Sequence, residues 1–202
     1  VRSVGDSAQS GPTINGSGNE LCPTLVTNGH HLFFVSDRPG GCGAQDLYVA
    51  WRRDKRNDFG WETPENLGCV VNSSSNDFTP SLFEDEATSE TILYFSSNRP
   101  GGPGGTDIYS SMLESSGTFG LAIVDWALST AADDQRPNVR KDGLEIFFDS
   151  NRPGSLSNSA DLWTSTRTSA TGPWAPPTNL TRLNSGATEG RPSLSFDGQT
   201  LY

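Results

Sequence analysis

Short apolar runs separated by polar turns recur along this chain, and no stretch sustains a helical period. After each of Pro23, Pro80 and Pro137 comes a short alternating run, a turn and a second apolar run, as in "PTLVTNGHHLFFVSDR" and "PNVRKDGLEIFFDSNR"; "PSLSFDGQTLY" from Pro192 opens the same way. Asn28-Gly29, Asp142-Gly143 and Asp197-Gly198 occupy the turns, and such pairs supply the positive φ of a two-residue hairpin. The second copy carries the longer acidic "FEDEATSET" there, read as a surface insertion. A third apolar run follows, "DLYVAW" from Asp46, "DIYSSM" from Asp107 and "DLWTST" from Asp161. A fourth segment holds "WETPENL" from Trp61 and "WAPPTNL" from Trp174, with "FGLAIVDW" from Phe119 in the divergent second copy. The prolines stand 57, 57 and 55 residues apart. Four short strands in a period of about fifty residues is the pattern of a β-propeller blade.

Between the second and third strands lie "SDRPGGCGAQD", "SSNRPGGPGGTD" and "DSNRPGSLSNSAD". A glycine loop that cradles a nucleotide phosphate is normally a single feature between a strand and a helix. Three copies point to architecture instead. These loops, with "P-x-L-S-x-D-G-x-x-L-Y", resemble the PD40 or TolB-like (WD40-like) propeller repeats over roughly residues 10 to 202. The resemblance implies an all-β propeller of four-stranded blades, of bacterial envelope or secreted origin, serving as a binding or scaffold module. Fold does not fix function. The units fall at about 20–76, 77–133, 134–188, and 189–202 together with 1–19. "GPTINGSGNE" aligns with "NLTRLNSGATE" as a last strand and "VRSVG" as a third, so both termini are expected to close a four-bladed ring. The alternative is a piece of a propeller with five or more blades, or one completed by a second chain.

The net charge of −10 and pI near 4.5 argue against nucleic acid or an anionic membrane as partner. No apolar run reaches the ~18 residues of a membrane span. A chain beginning "VRSVGDSAQSG" without Met reads as a processed or cloned fragment. The sequons at Asn15, Asn72 and Asn179 matter only in a glycosylating source. Cys22, Cys42 and Cys69 allow at most one disulfide and a free thiol, and Cys22 with Cys42, in one unit, is the candidate pair. His30-His31 reads as a solvated turn, and zinc spacing is lacking.

In an up-and-down blade, the acids three places before each proline share a face with the glycine loops. Glu20, Asp77, Asp134 and Glu189 are therefore expected to ring the channel mouth, with Arg38, Arg99 and Arg152 beside them. Arginines held by these acids, or by Asp46, Asp107 and Asp161, would make the loops blade corners. Alternatively the same acids hold a hard cation such as Ca²⁺, or acids, arginines and aromatics grip a glycan or peptide. No other cofactor is implied. Trp51, Trp61, Trp126, Trp163 and Trp174 are either inter-blade core or stacking platforms, with Trp51 the most exposed candidate. Paired carboxylates of a glycosidase are the distant third reading, because the acids outside the repeat (Glu62, Glu65, Glu84, Asp85, Glu86 and Glu90) lie in exposed segments. No Ser/His/Asp or Cys/His constellation is evident. The expectation is a non-catalytic module making protein contacts through one face, then a lectin-like binder of glycan or peptidoglycan.

Overall fold

The computed structural model describes residues 14–85, 88–156 and 159–202. Its strands form three antiparallel four-stranded sheets, each in chain order. The first holds β1 (Glu20–Leu25), β2 (His31–Ser36), β3 (Asp46–Trp51) and β4 (Glu65–Asn66). The second holds β5 (Asp77–Glu84), β6 (Thr91–Ser97), β7 (Asp107–Met112) and β8 (Ile123–Val124). The third holds β9 (Asp134–Val139), β10 (Glu145–Ser150), β11 (Asp161–Thr166) and β12 (Thr178–Asn179). The first strand of the middle sheet, β5, packs between β1 and β9, so the inner strands stand side by side as in a propeller. The fold is all-β, as the repeat predicts.

The unbroken apolar runs are middle strands buried on both faces. In β6, Leu93 and Phe95 pack toward the first sheet with Val35, Leu47 and Val71, while Ile92 and Tyr94 pack toward the third with Ile146, Phe148 and Trp163. The hairpin glycines adopt the required conformation, with φ of 75° at Gly29, 70° at Gly143 and 68° at Gly198. His31 opens β2 and is half-buried rather than a solvated turn residue; burial and then the neighbouring His30 push its imidazole pKa down.

Ile14 packs on Phe34, Tyr48 and Trp61 of the first unit, and the described part of its segment (14–19) forms no strand. At the other end Leu194 bridges Leu201 in a hairpin, and the Leu194 N–H reaches Asn138 of the third sheet. Among the described residues the two terminal segments form no strand pair with each other. The "VRSVG" strand lies outside them, and so does Glu86.

The disulfide joins Cys42 to Cys69, with Cys22 free, in place of the candidate Cys22–Cys42 pair. The segment after β4 folds back beside the glycine loop, a contact that no repeat periodicity encodes. Closing 27 residues of chain stabilises the fold by about 3.5 kcal/mol in the chain-entropy account. Replacing Cys42 and Cys69 together with Ser is expected to lower the unfolding free energy by about that amount in urea titrations. Cys22→Ser is expected to change it by less than about 1 kcal/mol.

Candidate functional site at the propeller axis

The loop arginines and the acids pair as their spacing suggests, but inside the protein. Arg38 meets Glu20 at 3.0 Å, Arg99 meets Asp77 at 2.6 Å and Arg152 meets Asp134 at 2.5 Å. Each guanidinium also accepts a second duty, donating from Nη2 to a carbonyl of the segment that precedes its unit: Ile14 at 2.7 Å, Val71 at 2.6 Å and Leu128 at 2.5 Å. Its Nε donates to the serine ending the second strand, Ser36, Ser97 or Ser150. It lies over two rings of its own blade, as Arg99 does over Phe95 and Tyr109. Nε and Nη2 together therefore tie strand, loop and preceding unit to one another.

The loops' own aspartates do a separate job. Asp46 accepts from the Cys42 and Gly43 N–H groups, Asp107 from Gly104 at 3.2 Å and Asp161 from Leu156 at 2.8 Å. Burial pushes the Asp107 carboxyl above its ordinary value. The turn itself needs Pro then Gly, and Gly40, Gly101 and Gly154 take φ of 94°, 111° and 101°. A Cβ on Gly104 would lie 2.0 Å from the Ala132 carbonyl, so the loop runs against the crossing to the next unit. These glycine loops are blade corners.

Asp77 and Asp134 are fully buried and do not ring a channel mouth. The fourth acid, Glu189, is half-buried; its Oε1 is taken by Ser185, and its Oε2 has no hydrogen-bond partner among the described residues. No group of three or more His, Cys, Asp or Glu side chains among the described residues is placed to hold a metal ion, so these acids do not converge as a Ca²⁺ site would require. Trp61, Trp163 and Trp174 are core residues, Trp51 is exposed and Trp126 more so. Trp51 lies on a cleft between the first two blades, away from the loops.

The residues that do line the axis come two places after each acid. Cys22, Thr79, Arg136 and Arg191 all precede the repeated proline, and all have positive φ, between 50° and 62°. In β1, β5 and β9 the ladder slips at this point, a β-bulge that turns the strand. Left-handed non-glycine residues cost about 1–3 kcal/mol each and persist where neighbours enforce them. Here the preceding blade does so: the Arg136 N–H bonds Ser96 Oγ at 2.8 Å and the Arg191 N–H bonds Asp149 Oδ1 at 3.0 Å. These four residues face one pocket of about 600 Å³, on the loop side, together with Asp37, Gln45, Asn76, Asn98 and Gln135. The only sequence signal for them is their place before the proline.

Asp149 sits under this pocket, 1% exposed, with its carboxylate 2.8 Å from Arg136. Burial raises its pKa from 3.8 to about 6, against the opposing pull of the Arg191 N–H and the Arg136 charge. The exposed Asp37 is instead held low by hydrogen bonds from Asn19.

No family model matches the chain, and no curated protein matches it. Solved structures do. The chain resembles propeller glycoside hydrolases in fold. A thermostable family-43 glycoside hydrolase superposes with a TM-score of 0.55 at 14% identity, over 89% of this chain and 62% of that one. The α-L-arabinofuranosidase from Lactobacillus brevis gives 0.52 at 12% identity, again over 89% and 62%. The Trypanosoma rangeli sialidase gives 0.53 at 8% identity, over 88% of this chain and 33% of that one. The chain thus spans between a third and three fifths of the length of these structures.

A folded-state pKa of about 6 against 3.8 unfolded means that the folded protein holds the Asp149 proton more tightly. That contribution is fully present below pH 3.8 and is lost as pH rises through 6, roughly 3 kcal/mol in all. Measured by denaturant titration, the stability of the wild type relative to Asp149→Asn is expected to fall by roughly that amount between about pH 3.5 and pH 7.

Proposed function

We propose that the chain is a non-catalytic binding module that holds an acidic saccharide in the axial pocket. Arg191 carries this reading. Its side chain is exposed at the pocket, where its charge also acts on the buried Asp149, in a chain whose net charge is −10. Arg136 places a second guanidinium at the same pocket. A guanidinium fork matches a carboxylate with two parallel hydrogen bonds. The amides of Gln45, Asn76, Asn98 and Gln135 and the Thr79 hydroxyl offer donors and acceptors for sugar hydroxyls. Hydrolysis would need two cooperating carboxylates. The two at this site are engaged, Asp37 with Asn19 and Asp149 with Arg136, which supports binding.

Protein contact is the second reading, favoured by the exposed Met112, Leu121, Ile123 and Trp126 along the outer part of the second blade. The Cys42–Cys69 disulfide supports an oxidising compartment, in line with a secreted or periplasmic PD40-type protein.

Calorimetric titration with galacturonate, glucuronate and N-acetylneuraminate, each beside a neutral sugar, tests the reading. Binding by at least one acidic sugar is expected, weakened about tenfold or more in Arg191→Ala. Equal binding of the neutral sugars, or an unchanged Arg191→Ala, would overturn it. Release of reducing sugar from oligosaccharides of the bound sugar would move the chain to the hydrolases.

A further inference from the structure

The second blade interface differs from the first at four matched positions that share one cleft. Strand register aligns Tyr94 with Phe33, Asp125 with Leu67, Arg167 with Leu113 and Trp174 with Phe119. In the first interface all four are apolar, and Phe33 meets Phe119 edge-on at 5.9 Å. In the second, Tyr94 and Trp174 keep the edge-on contact at 6.1 Å, and the Arg167 guanidinium stacks 4.0 Å over Trp174. At these four positions the fold uses apolar side chains in one interface and polar-tipped or charged ones in the other.

Two of the added donors lack a partner. Arg167 is 9% exposed, and its Nε donates to the Gly143 carbonyl at 2.6 Å. Its Nη2 is buried with no hydrogen-bond partner, as is the Trp174 Nε1. The Tyr94 hydroxyl interacts with both side chains but does not reach hydrogen-bond geometry with either donor atom. In the first blade the matching Arg52 is capped by its own hairpin, with Nη1 3.5 Å from the Asn57 carbonyl and 3.6 Å from the Asp58 carboxylate. The third-blade hairpin, "TSATGP" (168–173), contains no acid to do the same. Buried donors are rarely left unpaired, so two together call for an acceptor from outside.

Both side chains line a cleft of about 420 Å³ at the hairpin end of the blades. Ile92, Met112 and Ile123 supply an apolar wall, and the acids present are Asp125 and Glu114. Asp125 accepts from the Ala127 N–H at 3.2 Å, and burial pushes its carboxyl above the ordinary range against the opposing charge of Arg167.

We propose that this cleft is a second ligand site, taking a small molecule that carries a carboxylate on an apolar body. The carboxylate oxygens accept from Arg167 Nη2 and Trp174 Nε1, and the apolar body lies on Ile92, Met112 and Ile123. The site shares no residue with the axial pocket and does not depend on the saccharide reading.

The first interface supplies the test variants, since Arg167→Leu and Trp174→Phe install the residues it already uses. Calorimetry with 4-phenylbutyrate and octanoate, against 4-phenylbutyramide and octanol, is expected to show binding of a carboxylate at least about tenfold tighter than its neutral counterpart. Each variant is expected to lose about tenfold or more, with its melting temperature kept, while Arg191→Ala binds as wild type. No binding of either carboxylate at millimolar concentration, or binding that survives both substitutions, would overturn the proposal. If a variant does not fold, the wild-type indole N–H resonance of Trp174 decides: it shifts on adding the bound carboxylate, and a resonance that stays in place overturns the site.

Discussion

One guanidinium per blade sets the conditions for the rest of this molecule. The glycine-rich corner between second and third strands cannot hold its own shape, because glycine leaves its backbone free. The arginine resolves this by bonding three things at once, an acid at the start of the inner strand, a serine at the end of the middle strand, and a carbonyl of the preceding unit. Additional hydrogen bonds offset the desolvation of a buried ion pair, and here the serine and the carbonyl supply them. Blade corner and blade-to-blade joint are thereby the same interaction, repeated with Ile14, Val71 and Leu128 as successive acceptors.

The clamp also accounts for what reaches the axis. Pinning the acid at the start of each inner strand leaves the next residues to turn before the proline, and the bulge with positive φ makes that turn. Where bulge residues bond the preceding blade they do so through the backbone N–H, as Arg136 and Arg191 do, so their side chains are free to differ from unit to unit: Cys22, Thr79, Arg136 and Arg191. Repetition marks the scaffold, and variation within the repeat marks the residues available for recognition. The same contrast holds between the two inter-blade clefts, where apolar Leu113 and Phe119 give way to Arg167 and Trp174.

Much of this was legible in the sequence because it is local and periodic. Apolar runs located the strands, Asn-Gly and Asp-Gly the hairpins, and the spacing of Arg99 from Asp77 their pairing. The site was not legible in the same way. Alternation assigns Asp77 and Asp134 to a face, but a bulge two residues later resets which side chain looks inward, and bulges leave no periodic trace. The partner of Cys42 depends on how the segment after β4 returns to the loop, a feature of the first unit alone. Charges around Trp51 suggested exposure, yet Trp126, in the divergent "FGLAIVDW" segment, is the more exposed ring.

The central claim is that the repeated arginines hold blades together rather than bind ligand. A double-mutant cycle of Arg99→Met and Asp77→Asn, followed by urea unfolding, tests it most directly. The account predicts a coupling energy of about 2 kcal/mol or more, with each single variant destabilised. Additive effects, with coupling below about 0.5 kcal/mol and both singles near wild-type stability, would contradict it.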